Sequence, residues 1–179
     1  LFMNNCPQYV MAHYGIQKIG AIVCPCGPLN KEHELEYQLT DLQARVIVAA
    51  DVLLPVVDKV RARTELQHVF VVRYAELLPE GAPSIDVPAE LLNMRTAMGP
   101  VPAGCEDFLA STRTGARPAP VALSMDDVSL MTYTSGTTGL PKGAMLSYGN
   151  ATFKTAASAD CNGMTPHETL LAVAPLYHI

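Results

Sequence analysis

Apolar residues along this chain come in short unbroken runs, separated by longer stretches in which they recur every three or four positions. Residues 21–24, 46–50 and 69–72 are runs of the first kind, too short for helices and rich in Val and Ile, and they read as strands buried on both faces. Each is preceded by a helical spacing: Val10, Met11, Tyr14 and Ile19 before the first, Leu35, Leu39 and Leu42 before the second, and residues 53–63 before the third. Asn5 followed by Pro7 predicts the start of the first helix and Gly20 its stop, while Asn30 predicts the cap of the second. Alternation of this sort predicts an α/β fold, a mainly parallel sheet flanked by helices and built from right-handed crossover units.

The pattern dissolves after residue 73. Residues 74–125 hold seven of the 14 prolines and predict an irregular surface excursion, with one short amphipathic turn at Glu106, Asp107, Phe108 and Leu109. Order returns after Asp126. Residues 128–134 predict a strand, 144–146 a returning strand, Ser147 the cap of a helix reaching about Ala159, and the apolar residues 170–174 a terminal buried strand. The chain therefore divides into a βα-type region (1–73), the proline-rich excursion (74–125) and a third region (126–179) built around a glycine-rich loop, with no internal repeat.

Composition narrows the class. The 179 residues are 49% hydrophobic and 16% charged, against roughly 25% charged in an average soluble domain. With 12 Lys and Arg against 17 Asp and Glu, the net charge is −5, which excludes a basic nucleic-acid binder, and the apolar content excludes a disordered chain. Leu1 in place of methionine and the apolar run near Ile179 are expected of an internal part of a larger domain, with faces that other segments would cover. No apolar stretch reaches the roughly 18–20 residues needed to span a bilayer. Five cysteines, an odd number, predict free thiols and a reducing, cytoplasmic setting. Cys24 and Cys26 with His33 fall short of a metal site, because zinc pairs need two to four intervening residues and a second ligand pair.

The chemistry concentrates in Tyr133, Thr134, Ser135, Gly136, Thr137, Thr138, Gly139, Leu140, Pro141, Lys142 and Gly143. Glycines allow several backbone amides to turn toward one point, hydroxyls add donors, and Lys142 supplies a mobile positive charge. This combination predicts a cradle for a polyphosphate, held by charge-assisted hydrogen bonds of roughly 1.5–3 kcal/mol each. It is not a Walker loop, since Pro141 precedes the lysine and Gly143 follows it. Nor is it a Rossmann fingerprint, because the glycine spacing differs and a strand follows rather than a helix.

This loop resembles, at every position, the signature of the adenylate-forming (AMP-binding) superfamily of acyl-CoA synthetases, luciferases and peptide-synthetase adenylation domains. The similarity extends to Ala144, Met145, Leu146, Ser147, Tyr148, Gly149 and Asn150 after the loop, to Pro175, Leu176, Tyr177 and His178, and to residues 20–39. Tyr148 departs from the histidine frequent in fatty acyl ligases, which bears on local packing alone. The style of the loop is that of long-chain or medium-chain fatty acyl-CoA synthetases, whereas peptide-synthetase loops more often carry Ser-Thr-Gly.

The resemblance implies an ATP-dependent carboxylic, in particular fatty, acid:CoA ligase that makes acyl-AMP and pyrophosphate and then passes the acyl group to coenzyme A. It implies that Thr134, Ser135, Gly136, Thr137, Thr138, Gly139 and Lys142 bind the ATP phosphates with Mg²⁺ as counter-ion, and that Tyr177 and His178 lie near the acyl group and the α-phosphate. Read alone, His178 is an ordinary core or strand-end histidine, and the Pro-Leu-Tyr-His context reverses that reading. The family's adenine, ribose and magnesium residues and its catalytic lysine correspond to positions after Ile179, so no catalytic residue or metal ligand is assigned here. The piece by itself is expected to be inactive. A carboxylic acid substrate is expected, with no nucleic acid and no obligate protein partner. The alternatives are a peptide-synthetase adenylation domain and a non-catalytic, truncated nucleotide-binding piece.

Overall fold

The structure, a computed structural model, describes residues 1–78, 86–134 and 139–178. Its elements in chain order are α1 (Pro7–Lys18), α2 (Glu32–Asp41), β1 (Val46–Ala50), α3 (Leu54–Arg61), β2 (His68–Val72), α4 (Ala89–Thr96), β3 (Glu106–Asp107), α5 (Phe108–Thr112), β4 (Val128–Thr134), β5 (Lys142–Ser147) and α6 (Tyr148–Cys161). One sheet is parallel with order β1-β2-β3, and β4 and β5 form an antiparallel pair. This is the α/β arrangement that the alternation predicts.

Strand alternation sorts the apolar runs onto two faces. Ile47, Ala49, Val69 and Val71 join Leu35 and Leu39 of α2 and Val57 and Val60 of α3 in one core cluster. Val48, Ala50 and Val72 join Tyr9 and Ala12 of α1, Val23 and Phe108 in the other. Burying a Val or Leu contributes about 1.5–3 kcal/mol, so the continuous runs are what hold the sheet between its helical layers.

Residues 21–24 do not form a regular strand. Val23 instead makes an isolated parallel bridge to Leu130, with its amide donating to Ser129 O (3.1 Å) and its carbonyl accepting from Met131 N (2.8 Å). Three residues on, Cys26 N donates to Leu1 O (2.8 Å), and Phe2 N to Val48 O (2.8 Å). Pro25 lacks the amide that would continue the ladder between these contacts. The segment is thus a seam that joins the β4–β5 hairpin to the parallel sheet.

Three further expectations change. Residues 170–174 form no strand; Leu171 is 86% exposed, and among the described residues no strand runs beside them. On α1 the spacing of Val10, Met11, Tyr14 and Ile19 marks an exposed side, and Gln8, Tyr9 and Ala12 face inward. Gln8 can be buried because its Nε2 donates to Arg73 O (3.2 Å) and Glu76 Oε1 (3.1 Å). The predicted caps also shift by one residue: α1 starts after Cys6 and α2 after Lys31, whose amide donates to Glu34 Oε2 (3.0 Å).

Within residues 74–125 the structure carries α4, β3 and α5. The expected turn at 106–109 splits into the end of a strand and the start of a helix, because Asp107 pairs with Val71 in the sheet and its Oδ1 then accepts from Ala110 N (2.8 Å). Arg73, at the end of β2, binds Asp107 and Glu76 and donates to Gly99 O (3.3 Å), tying this region to the sheet. Gly20 follows α1 with φ +75°, a conformation that suits glycine, and a Cβ there would lie 2.9 Å from Val121 Cγ1. Among the described residues no helix is long and apolar enough to cross a membrane.

Candidate functional site

The β4–β5 hairpin presents the glycine-rich segment. Its register pairs Thr134 with Lys142, Tyr133 with Gly143, Thr132 with Ala144 and Leu130 with Leu146. Paired residues of an antiparallel ladder share a face, so Thr132, Thr134, Lys142, Ala144 and Leu146 belong to one side of the hairpin. Gly143 is required by close approach: a Cβ there would stand 3.0 Å from Met131 Sδ and 3.4 Å from the Tyr133 ring. Ser147 ends the hairpin and caps α6, its Oγ accepting from Asn150 N (3.2 Å) while Asn150 Oδ1 accepts from Ser147 N (3.0 Å).

A cleft of about 480 Å³ lies against this side, lined by Asn30, Glu34 and Gln38 at the α2 end, by Thr132, Tyr133, Thr134, Pro141, Ala144 and Leu146 of the hairpin, and by Tyr177 and His178. Of the residues singled out by sequence, the structure brings Thr134, Tyr177 and His178 together in the lining of this cleft. Lys142 and Gly139 are exposed beside it, and Lys142 shares the strand face of Thr134. Ser135, Gly136, Thr137 and Thr138 lie outside the described residues. Thr132 is 7% exposed, and its Oγ1 has no hydrogen-bond partner among the described residues. A buried hydroxyl left over in a cleft wall is available to a ligand.

Tyr177 and His178 reach the cleft because residues 172–176 are held by Asn5, just before α1, and by Tyr9 of α1. Asn5 Nδ2 donates to Ala172 O (3.1 Å) and Ala174 O (2.8 Å), and Asn5 Oδ1 accepts from Leu176 N (2.8 Å). Tyr9 Oη donates to Leu176 O (2.8 Å). His178 N closes a turn onto Pro175 O (3.1 Å), and Tyr177 packs against the core cluster that contains Tyr9 and Val23. Sequence reading gave Asn5 to a helix cap and gave Tyr9 no role.

At the stems of the loop, Tyr133 donates to the Asp41 carboxylate, and Tyr37 Oη donates to Pro141 O (2.9 Å). The two rings meet edge to face with centroids 6.2 Å apart. Burial pushes the Tyr133 hydroxyl well above the ordinary phenol range, and the Asp41 carboxylate pushes it further, so it remains a donor. Tyr37, Asp41 and Thr132 carry no motif. The signal that could have found the first two is the polar stripe Glu34, Tyr37, Gln38 and Asp41, at helical spacing opposite Leu35 and Leu39. Tyr148, the departure noted in sequence, has a local role: its hydroxyl donates to Gln17 O (3.1 Å), joining α6 to the end of α1.

A family model described as AMP-binding enzyme matches residues 1–179, the whole chain. The chain belongs to the AMP-binding enzyme family. A long-chain-fatty-acid–CoA ligase of Bacillus subtilis is 30% identical to this AMP-binding chain over 190 residues, covering 100% of it and 33% of the relative. A ligase of the same name from Escherichia coli O6:H1 is 31% identical over 185 residues, with 100% and 33% covered. The crystal structure of a long-chain-fatty-acid-CoA ligase from Archaeoglobus fulgidus superimposes with a TM-score of 0.73 at 26% identity, covering 98% of this chain and 29% of that one. The chain thus spans about a third of the length of the curated relatives it matches.

Among the described residues no three His, Cys, Asp or Glu side chains converge as a metal site. Cys24 and Cys26 line a separate groove and are free thiols.

Proposed function

We propose that this AMP-binding chain is part of an ATP-dependent fatty acid:CoA ligase, in which the carboxylate attacks the α-phosphate of ATP, pyrophosphate leaves, and the acyl group of the acyl-AMP is then transferred to the thiol of coenzyme A. The observation that carries this reading is the cleft in which Thr134, at the stem of the glycine-rich loop, faces Tyr177 and His178. Identity of 30–31% to long-chain-fatty-acid–CoA ligases along the whole chain supports the substrate class. In this reading the loop residues Thr134, Ser135, Gly136, Thr137, Thr138, Gly139 and Lys142 hold the β- and γ-phosphates, Lys142 as a point charge able to follow them. Their donors neutralise charge that grows on the pyrophosphate as it leaves. Tyr177 and His178 line the place where carboxylate and α-phosphate meet. Magnesium enters as the counter-ion carried by ATP. Five free cysteines support a reducing, cytoplasmic setting.

The test is carboxylate-dependent exchange of pyrophosphate into ATP by the full-length protein. Wild type is expected to exchange with fatty acids, and Lys142→Ala to lose roughly tenfold to a hundredfold in kcat/KM for ATP, the loss expected when a charged hydrogen-bond donor is removed. Unchanged kinetics in Lys142→Ala would remove the loop from the nucleotide site.

A further inference from the structure

The two tyrosines at the loop stems do more than pack. We propose that α2 is a positioning element for the phosphate loop, with Tyr37 and Asp41 holding its two stems in register. The inference rests on the proposed binding of ATP by that loop. The first stem is held through Tyr133, whose hydroxyl donates to Asp41, and the second through Pro141, whose carbonyl accepts from Tyr37 Oη (2.9 Å).

Proline has no amide, so the carbonyl is the one backbone polar group Pro141 offers, and it belongs to the peptide that leads into Lys142. Fixing that peptide plane fixes where the Lys142 side chain starts. Tyr133 adjoins Thr134, so the same helix governs the chain on both sides of the glycine-rich tip. The tyrosine rings also brace each other edge to face, which joins the two anchors into one unit.

An anchor is useful only if it is itself fixed, and α2 is. On the side of α2 turned to the core, Leu35 and Leu39 are buried against α3. Two ion pairs, from Lys59 Nζ of α3 to Glu32 Oε1 (2.6 Å) and from Arg63, just past the end of α3, to Glu36 Oε2 (2.9 Å), reinforce that contact. At 100° per residue, Tyr37 and Asp41 fall on the side turned to the hairpin, together with Glu34 and Gln38, which reach the cleft. One rigid helix therefore contributes to the cleft wall and to both loop stems. Ordering the stems in advance lowers the entropy lost when phosphates bind, which acts on ATP affinity rather than on the chemical step.

The experiment uses the full-length protein and the variant Tyr37→Phe, which deletes the hydroxyl and keeps the ring against Tyr133. Removing one such hydrogen bond is expected to raise KM for ATP roughly threefold to tenfold in the complete ligase reaction, with kcat and the KM values for fatty acid and coenzyme A unchanged. Amide hydrogen exchange at Thr134, Leu140 and Lys142 is expected to quicken at least threefold in the same variant, and Asp41→Asn is expected to quicken Thr134. An ATP KM within twofold of wild type, or equal losses for all three substrates, overturns the proposal. If wild type shows no exchange activity the ligase reading fails instead, and the amide rates alone then decide whether α2 positions the loop. Unchanged amide rates overturn it in either case.

Discussion

Asn5 commits both amide hydrogens and its carbonyl oxygen to residues 172–176, so one side chain near the start of the chain sets the path that delivers Tyr177 and His178 to the cleft. Asn5→Ala in the full-length protein is expected to cost about 1–3 kcal/mol in denaturant unfolding. It should also speed amide exchange at Leu176, while Asn5→Asp, which keeps the acceptor, should protect that amide in part. Wild-type exchange at Leu176 in Asn5→Ala would contradict this role. Local sequence pointed elsewhere: Asn two residues before Pro is a helix-start signal, and nothing near it reveals partners some 170 positions away. The hydroxyl and glycine residues of the loop were legible because their chemistry is packed into consecutive positions. Tyr37 and Asp41 were not, because their partners lie on another element and a tyrosine on a helix reads as ordinary surface.

Helices and strands separate along similar lines. Val46–Ala50 and His68–Val72 are strands because each run has a neighbour to pair with, and their registers match along the full length of both. Residues 21–24 and 170–174 are equally apolar and yet form no strand, since a ladder belongs to a pair of segments and no single run can announce its partner. Caps that act within four residues are more readable. Ser147 caps α6 as the sequence predicts, Asn150 reciprocates in the structure, and Ser147→Ala is expected to destabilise α6 by about 1 kcal/mol, with Ser147→Asp restoring most of it. Thermal unfolding of the three proteins checks the order wild type, Asp, Ala.

The whole molecule shows a well-filled parallel core beside a hairpin and a terminal segment with much apolar surface in the open. Leu170, Leu171, Val173 and Phe153 are all largely exposed, and the chain covers about a third of its relatives' length. The 179-residue chain by itself is expected to show no carboxylate-dependent pyrophosphate exchange under conditions in which the full-length protein is active. Measurable exchange by the short chain would place a complete adenylation site within these residues. Composition foreshadowed the open surface through its low charged fraction, whereas the net charge of −5 says little of the cleft, where Glu34 is the one acidic residue lining the wall among the described residues.

The seam at Val23 also bears on how the protein is made. Its amide and carbonyl find their partners at Ser129 and Met131, about a hundred residues later in the chain. At roughly 5–20 residues per second, a ribosome needs about 5–20 s to deliver those partners. Throughout that interval the nascent segment 21–24 presents an apolar edge with open backbone groups, and a chaperone that binds extended apolar peptides would find it there first.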